Sequence, residues 1–280
     1  MGFLRVVEVF PPLFPSSRSG RGYLEVDAGL DQFVAEARAN KGNADVILVA
    51  DVKDRKILKL SSLEATIFLK LRGGTEAAPV IVLRDLDRPR YLSAVLTCLT
   101  LGLGHVMIAW GDDYPTGSGV LRGRDFTTLA ESIREAVLLR KRARSATEFL
   151  APVNVESLGA PRGLALAKGR VRAGAALLLA QPPTIDLEAL GEHLRILRAA
   201  KLESRVLLNV FPFKGPEDLR RCEAYFGWRF PKRLHRRAEK GEGALREAER
   251  EVVNGLRDAG LPGVYLNTRG IEGIAGELLP

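Results

Sequence analysis

Along almost the whole chain, short apolar runs rich in β-branched residues alternate with longer stretches of helical period. The runs Leu4–Phe10, Asp45–Asp51, Pro79–Asp85, His105–Gly111, Glu148–Val155, Ala176–Pro182, Arg205–Phe213 and Gly263–Arg269 predict strands. Between them, helical spacing predicts helices over Leu30–Asn40, Ser61–Arg72, Arg88–Gly102, Phe126–Arg142, Arg162–Ala173, Leu187–Ala200, Pro216–Phe226 and Ala244–Ala259, with Ile271–Leu279 closing the chain. Nearly continuous apolar strands separated by amphipathic helices imply a parallel sheet covered by helices.

An open, doubly wound sheet would also alternate in this way. Its dinucleotide fingerprint is missing, because Pro11-Pro12 follows the first run where glycines belong. Eight βα units in about 250 residues match a closed barrel. The expected fold is therefore α/β, a single (β/α)8 TIM barrel over residues 1–280, with its working face at the C-terminal ends of the strands. The segment Leu13–Gly29, rich in Ser, Arg and Gly, reads as a long loop placed to cover that face.

Composition narrows the picture. With 280 residues, 46% hydrophobic and 27% charged, the chain can bury a sizeable core. No apolar run approaches the roughly 18 residues of a membrane helix, and the N-terminus lacks the pattern of a signal peptide, which predicts a cytoplasmic protein without membrane attachment. The net charge of +8 invites a nucleic-acid reading. Its distribution argues against one, since bases and acids interleave, as in Glu242–Arg246, and the dense stretch Arg229–Arg237 has Phe230 and Leu234 spaced to pack inward. An anionic small substrate or a hot habitat explains the charge more simply. Cys98 and Cys222 sit in separate helical stretches without close partners and read as buried thiols.

Polar residues at the strand ends carry the candidate chemistry. Glu8 interrupts the apolar run Val6-Val7-Glu8-Val9-Phe10, where burial would raise its pKa and make it either a proton donor or a structural carboxylate. Asp112 and Asp113 follow the fourth strand, with Gly111 allowing close approach to the backbone; one suits a heterocycle edge and the other a turn cap. Gln181 ends an apolar run with an amide that can both donate and accept. Asp51, Arg84, Asp85, Asn154, Asn209, Asn267 and Arg269 also lie at strand ends, where each reads more readily as a cap or loop residue. His105, His193 and His235 fall on different elements, which leaves no histidine metal site or Ser-His-Asp triad. Lys214 is the only lysine beside a strand end, so an aldolase or phosphosugar isomerase ranks last.

These strand ends resemble the methylenetetrahydrofolate reductase family. Glu8-Val9-Phe10-Pro11-Pro12 is similar to the family's Glu-aromatic-Phe-Pro-Pro opening, and Ala109-Trp110-Gly111-Asp112 to its Leu-Arg-Gly-Asp. Ala180-Gln181-Pro182-Pro183 with Asp186 is similar to its Thr-Gln-Phe-Phe and following Asp, and Leu266-Asn267 with Arg269 to its Leu-Asn-Arg. The resemblance spans nearly the whole chain. It implies a barrel in which NAD(P)H reduces FAD, and the reduced flavin passes hydride to the methylene carbon of a folate-like pterin. Glu8 would be the general acid that opens the five-membered ring, Asp112 and Gln181 would hold the heterocycle, and Asn267 and Arg269 would join the substrate site.

The flavin side departs from the family pattern. Ala50, Val80 and Trp110 stand where the family has Thr, His and Arg; Gly111 and Asp112 are kept, and Pro152 falls at the fifth strand. On the following helix, Leu166, Gly169 and Arg170 replace Asn, Arg and Lys, with Lys168 and Arg172 as substitute cations. The resemblance therefore leaves three forms of the activity: a reductase using FAD, a flavin-free reductase, and a pterin-binding or methyl-transfer partner barrel. The stretch Pro216–Phe226, with Tyr225, Phe226 and Trp228, is a candidate face for a homo-oligomer or a partner subunit.

Overall fold

A computed structural model describes residues 2–14, 22–51, 58–111, 125–271 and 273–279, with the backbone alone for 13, 14, 22–26, 58, 59 and 85. In chain order its elements are β1 (Leu4–Val9), β2 (Leu13–Phe14), α1 (Gly22–Asn40), β3 (Val46–Val49), β4 (Leu58–Lys59), α2 (Ser62–Phe68), β5 (Ala77–Val82), α3 (Arg88–Thr100), β6 (His105–Ala109), α4 (Leu129–Ala143), β7 (Glu148–Asn154), α5 (Pro161–Ala173), β8 (Ala175–Gln181), α6 (Leu187–Ala200), β9 (Val206–Val210), α7 (Pro216–Phe226), α8 (Lys232–Glu239), α9 (Glu242–Asp258), β10 (Gly263–Asn267) and α10 (Ile274–Leu278). Eight strands close into a barrel in the order β1-β10-β9-β8-β7-β6-β5-β3, and the pairings within it are parallel. The predicted (β/α)8 barrel is the observed fold. No described helix is long and apolar enough to cross a membrane.

Side chains along each strand alternate between two apolar layers. One set, including Val6, Leu48, Val80, Leu150, Leu179 and Leu207, fills the barrel. The other, including Val7, Val49, Ile108, Ala151, Leu208 and Leu266, packs outward against the helices. Helix starts follow their local chemistry. Ser61 and Glu64 close a capping box at α2, while Asp87, Thr128 and Asp186 each cap a helix by accepting an N–H from the first turn.

Several predicted elements change, and strands generally end short of their predicted bounds, as at Val206–Val210 against Arg205–Phe213. The expected loop Leu13–Gly29 contains the start of α1 at Gly22, and Leu13–Phe14 pairs antiparallel with Leu58–Lys59. Gly22 and Gly29 suggested a loop, but Tyr-Leu-Glu-Val-Asp-Ala between them contains no helix breaker. The predicted helix Ser61–Arg72 passes into a π-helical turn, Leu69–Gly73, which ends at Gly74 in the left-handed region (φ 57°). The last strand stops at Asn267 rather than Arg269, because Arg269 turns to φ 54°. The basic stretch after α7 forms a helix of its own, α8, with Leu234 and Ala238 buried. Cys98 and Cys222 are buried and unpaired.

Candidate functional site

The barrel interior is not uniformly apolar near the C-terminal ends of its strands. Counting by twos from the core, inward positions at the C-terminal ends of five neighbouring strands are Glu8, Asn267, Asn209, Gln181 and, beyond Pro152, Asn154. Register supports the grouping, since Glu8 lies opposite Asn267, Tyr265 opposite Asn209, and Asn154 opposite Gln181. On the far wall the corresponding positions are Ala50, Val82 and Ala109. The mouth thus has one amide-rich wall and one apolar wall.

Glu8 stands at the β1 edge of the polar wall, next to β3, and is only 8% exposed. Its Oε2 accepts a hydrogen bond from the Tyr265 hydroxyl at 2.5 Å and another from Asn267 Nδ2. Its carbonyl oxygen accepts from the Thr268 hydroxyl (2.8 Å) and amide (3.1 Å), which anchors the end of β1. Among the described residues no cation pairs with the Glu8 carboxyl. Burial pushes it up to about 7, against the lowering effect of the two hydrogen bonds. Burial and the neighbouring carboxyl push the Tyr265 phenol well above its ordinary range, so it remains a donor. A carboxyl poised near neutrality can give or take a proton in water, which is what general acid catalysis requires.

Beside this group lie two amides with unused capacity. Asn209 has no exposed surface, and neither its Oδ1 nor its Nδ2 has a hydrogen-bond partner; Gln181 Oε1 is likewise buried and unpartnered. Leaving such atoms unpaired costs about 1–3 kcal/mol each, so they are natural contacts for a ligand with complementary polar edges. Asn154 Oδ1 instead accepts from the Ser157 amide at 3.0 Å and acts as a local cap.

The opposite rim carries an ion pair. Buried Arg84 reaches Asp51 at 3.9 Å, and its amide donates to the Trp110 carbonyl at 3.0 Å. Gly111 sits against this pair at φ 86°, and a Cβ there would lie 2.4 Å from Val82 Cγ1 and 3.2 Å from Arg84 Cβ. Only glycine fits this approach.

A cavity of about 350 Å³ opens next to Asn267, walled by Phe10, Phe211, Tyr225, Phe226 and Arg269. The Arg269 guanidinium stands 4.7 Å from the centre of the Phe211 ring. It is held there by Asp218, to whose Oδ1 it donates at 2.8 Å, and by the Pro212 carbonyl. Phe226, offered by the sequence as part of an interface, therefore forms part of this cavity wall.

The predicted residues separate clearly in space. Glu8, Gln181 and Asn267 converge on the polar wall, and Arg269 reaches the adjoining cavity. Asp112 and Asp113 lie outside the described residues. Ala50 is a buried apolar group, Val80 faces the interior, and Trp110 packs with the outward cluster. Arg170 is tied to the Pro152 carbonyl at 2.5 Å. Lys168 and Arg172 share a groove with Lys201, Leu202, Ser204 and Arg205, the turn that enters β9 from the N-terminal end of the barrel. The described residues proposed for a flavin thus do not gather into a cradle for its diphosphate, because residues after the first turns of α5 run away from the mouth. Tyr265 and Asn209 are the residues that sequence reasoning missed or undervalued. Each lies two positions from an inward neighbour, Asn267 and Leu207 respectively, so the period of two could have found them.

No protein-family model matches the chain, and no curated protein matches it. Among solved structures, a Clostridium thermocellum protein described as binding two copies of 5-methyl-5,6,7,8-tetrahydrofolic acid superposes with a TM-score of 0.62. It is 11% identical, and the match covers 99% of this chain and 94% of that one. Oxaloacetate acetylhydrolase in complex with oxalate superposes with a TM-score of 0.51 at 13% identity, covering 96% of this chain and 76% of that one. The shared property is the barrel fold. At such identities function does not transfer with the fold.

Proposed function

We propose that the mouth of this barrel binds a reduced pterin of the tetrahydrofolate class, with Glu8 acting as the proton donor to its one-carbon unit. The observation that carries this reading is a single wall holding a carboxyl poised near neutrality beside the unpartnered amides of Asn209 and Gln181. A pterin edge presents alternating ring nitrogens, an amino group and a carbonyl, the pattern that free amide donors and acceptors satisfy. The aromatic remainder of a folate suits the Phe211–Phe226 cavity, where Arg221 stands at the rim for its carboxylates. The superposed Clostridium protein, whose ligand is a methyl-tetrahydrofolate, supports the same ligand class.

The resemblance to methylenetetrahydrofolate reductases gives the reaction its finer form. Glu8 protonates N10 of a methylene-tetrahydropterin, the bond between N10 and the methylene carbon breaks, and an iminium forms at N5. Hydride from NAD(P)H then reduces that carbon to methyl and leaves NAD(P)+. The residues described do not fit a flavin, so no step is assigned to one.

Calorimetric titration with 5-methyl-tetrahydrofolate tests the binding, and consumption of NADH or NADPH with 5,10-methylene-tetrahydrofolate tests the reduction. Visible spectra after incubation with FAD test the flavin separately. Saturable binding with turnover supports the full proposal. Binding without turnover limits it to a pterin-binding or methyl-transfer role, and absence of binding refutes it.

A further inference from the structure

A second and larger cavity, of about 840 Å³, lies outside the barrel between the β8–α6 connection, one face of α6 and the α7–α8 connection. It shares no lining residue with the cavity beside Asn267. The two are separated by a stacked aromatic pair, in which Phe226 lines the first cavity and Trp228 the second, with ring centres 4.3 Å apart and planes at 18°.

The wall of this second cavity is chemically organised. Trp228 and Phe230 meet edge to face at 6.0 Å and, with Pro182, Pro183 and Ile185, make an apolar surface suited to a flat ring. His193, 5% exposed, also lines it. Its Nδ1 is engaged with the Thr184 hydroxyl at 3.0 Å, and among the described residues no hydrogen bond uses Nε2. Burial lowers the imidazole pKa against the opposing charge of Glu192, which favours the neutral ring with one nitrogen available to a ligand.

The charges are also sorted. Glu188 is paired with Arg233 at 3.1 Å and Glu192 with Arg195 at 2.6 Å. That leaves Arg229 as a cation and Glu156 as a carboxylate on the lining without an ion-pair partner among the described residues. The first turn of α8 opens beside Arg229. Its N-cap residue, Pro231, supplies no side-chain hydrogen bond, so the exposed N–H groups there add to the attraction for an anion.

We infer that this cavity is a nucleotide site: the base lies against Trp228 and Phe230 with its edge at His193 and Glu156, and the phosphate lies at Arg229 and the start of α8. A pterin bound at the mouth is not required for this assignment. The sites are connected, because the Thr184 amide that follows the cavity wall donates to the Asn209 carbonyl at 2.7 Å.

The chain has two tryptophans, so Trp110→Phe leaves Trp228 as the sole indole reporter. AMP added to this variant should change its fluorescence saturably. Adding Arg229→Glu, an exposed substitution that breaks no ion pair, should weaken the apparent affinity by about ten-fold or more, equivalent to about 1.4 kcal/mol. His193→Ala should also weaken it, whereas Glu8→Gln at the mouth should leave it unchanged. No saturable response up to millimolar AMP, or a response indifferent to Arg229→Glu, overturns the inference. Because the reporter lies at the second cavity and no pterin is present, failure here is distinguishable from failure of pterin binding.

Discussion

Two buried glutamates show how the same side chain acquires different work. Glu8, inside the barrel, and Glu249, on α9, are 8% and 5% exposed, and burial raises the pKa of both. Glu249 meets a full counter-charge, because Arg246 donates to it at 2.5 Å, and its other oxygen accepts the Phe213 amide at 3.0 Å. Arg246 also reaches Glu242 at 2.8 Å, so α9 carries a small ionic network. Glu8 has only the neutral donors Tyr265 and Asn267. Burial takes both carboxyls up to about 7, so the difference lies in their surroundings: the guanidinium fixes Glu249 as a strut, while Glu8, with neutral donors beside a cavity, is placed to exchange its proton.

The comparison breaks most sharply at Glu8. Glu8→Gln preserves shape and donor partners but removes the titrating proton. Turnover with methylene-tetrahydrofolate should fall by roughly 10²–10⁴ while pterin affinity changes little. Equal turnover in the variant, measured by NAD(P)H oxidation, would remove Glu8 from the chemistry.

On the other side of the comparison, Arg246→Ala leaves Glu249 buried without its cation. A loss of about 3 kcal/mol or more of stability is expected in urea unfolding at neutral pH, with no specific change in the pterin contacts. A neutral result there would mean that water reaches Glu249.

Both glutamates give stability the same direction of pH dependence, and Glu8→Gln isolates the share that belongs to Glu8. Burial takes the Glu8 carboxyl up to about 7 from its ordinary 4.5, so the folded chain holds its proton more tightly than the unfolded chain does. Its contribution is fully present below about 4.5, declines as pH rises through 7, and amounts to roughly 3 kcal/mol. Unfolding curves should therefore show the wild-type chain losing stability relative to Glu8→Gln between those pH values. Parallel curves would contradict the assigned protonation.

Asn209 offers a subtler test. Its amide makes no hydrogen bond in the unliganded barrel, so Asn209→Leu should leave stability unchanged or raise it while weakening pterin binding by about 1–2 kcal/mol. The smallest expected effect belongs to Tyr265→Phe. Removing a hydrogen bond that favours the ionised carboxylate should move the pH midpoint of activity upward, by about a unit or less. A downward shift would reverse the role given to Tyr265.

Much of the scaffold could be read from the chain because local signals agreed with the fold. Leu187–Ala200 and Pro216–Phe226 appear at their predicted bounds. Asp186 caps the first, and Pro216 and Gly227 punctuate the second. Glu8 was conspicuous as a charge among β-branched neighbours. Tyr265 was not, since tyrosine is ordinary in a strand and its hydroxyl becomes informative only when β10 is set beside β1. Alternation from Leu207 gives Asn209 its inward direction, but nothing along the chain shows that its amide lacks a partner, which emerges only once the barrel closes. Lys168 shows the converse: its proximity in sequence to the expected flavin residues concealed a position in the α5 groove, away from the mouth.

The most direct measurement of the central claim is calorimetric titration of 5-methyl-tetrahydrofolate into the wild-type chain and into Asn209→Leu at neutral pH. The account predicts saturable binding to the wild type that weakens by about ten-fold in the variant, with the variant's melting temperature unchanged or higher. No binding to the wild type, or equal binding to both chains, would contradict a pterin seated against the amide wall of this barrel.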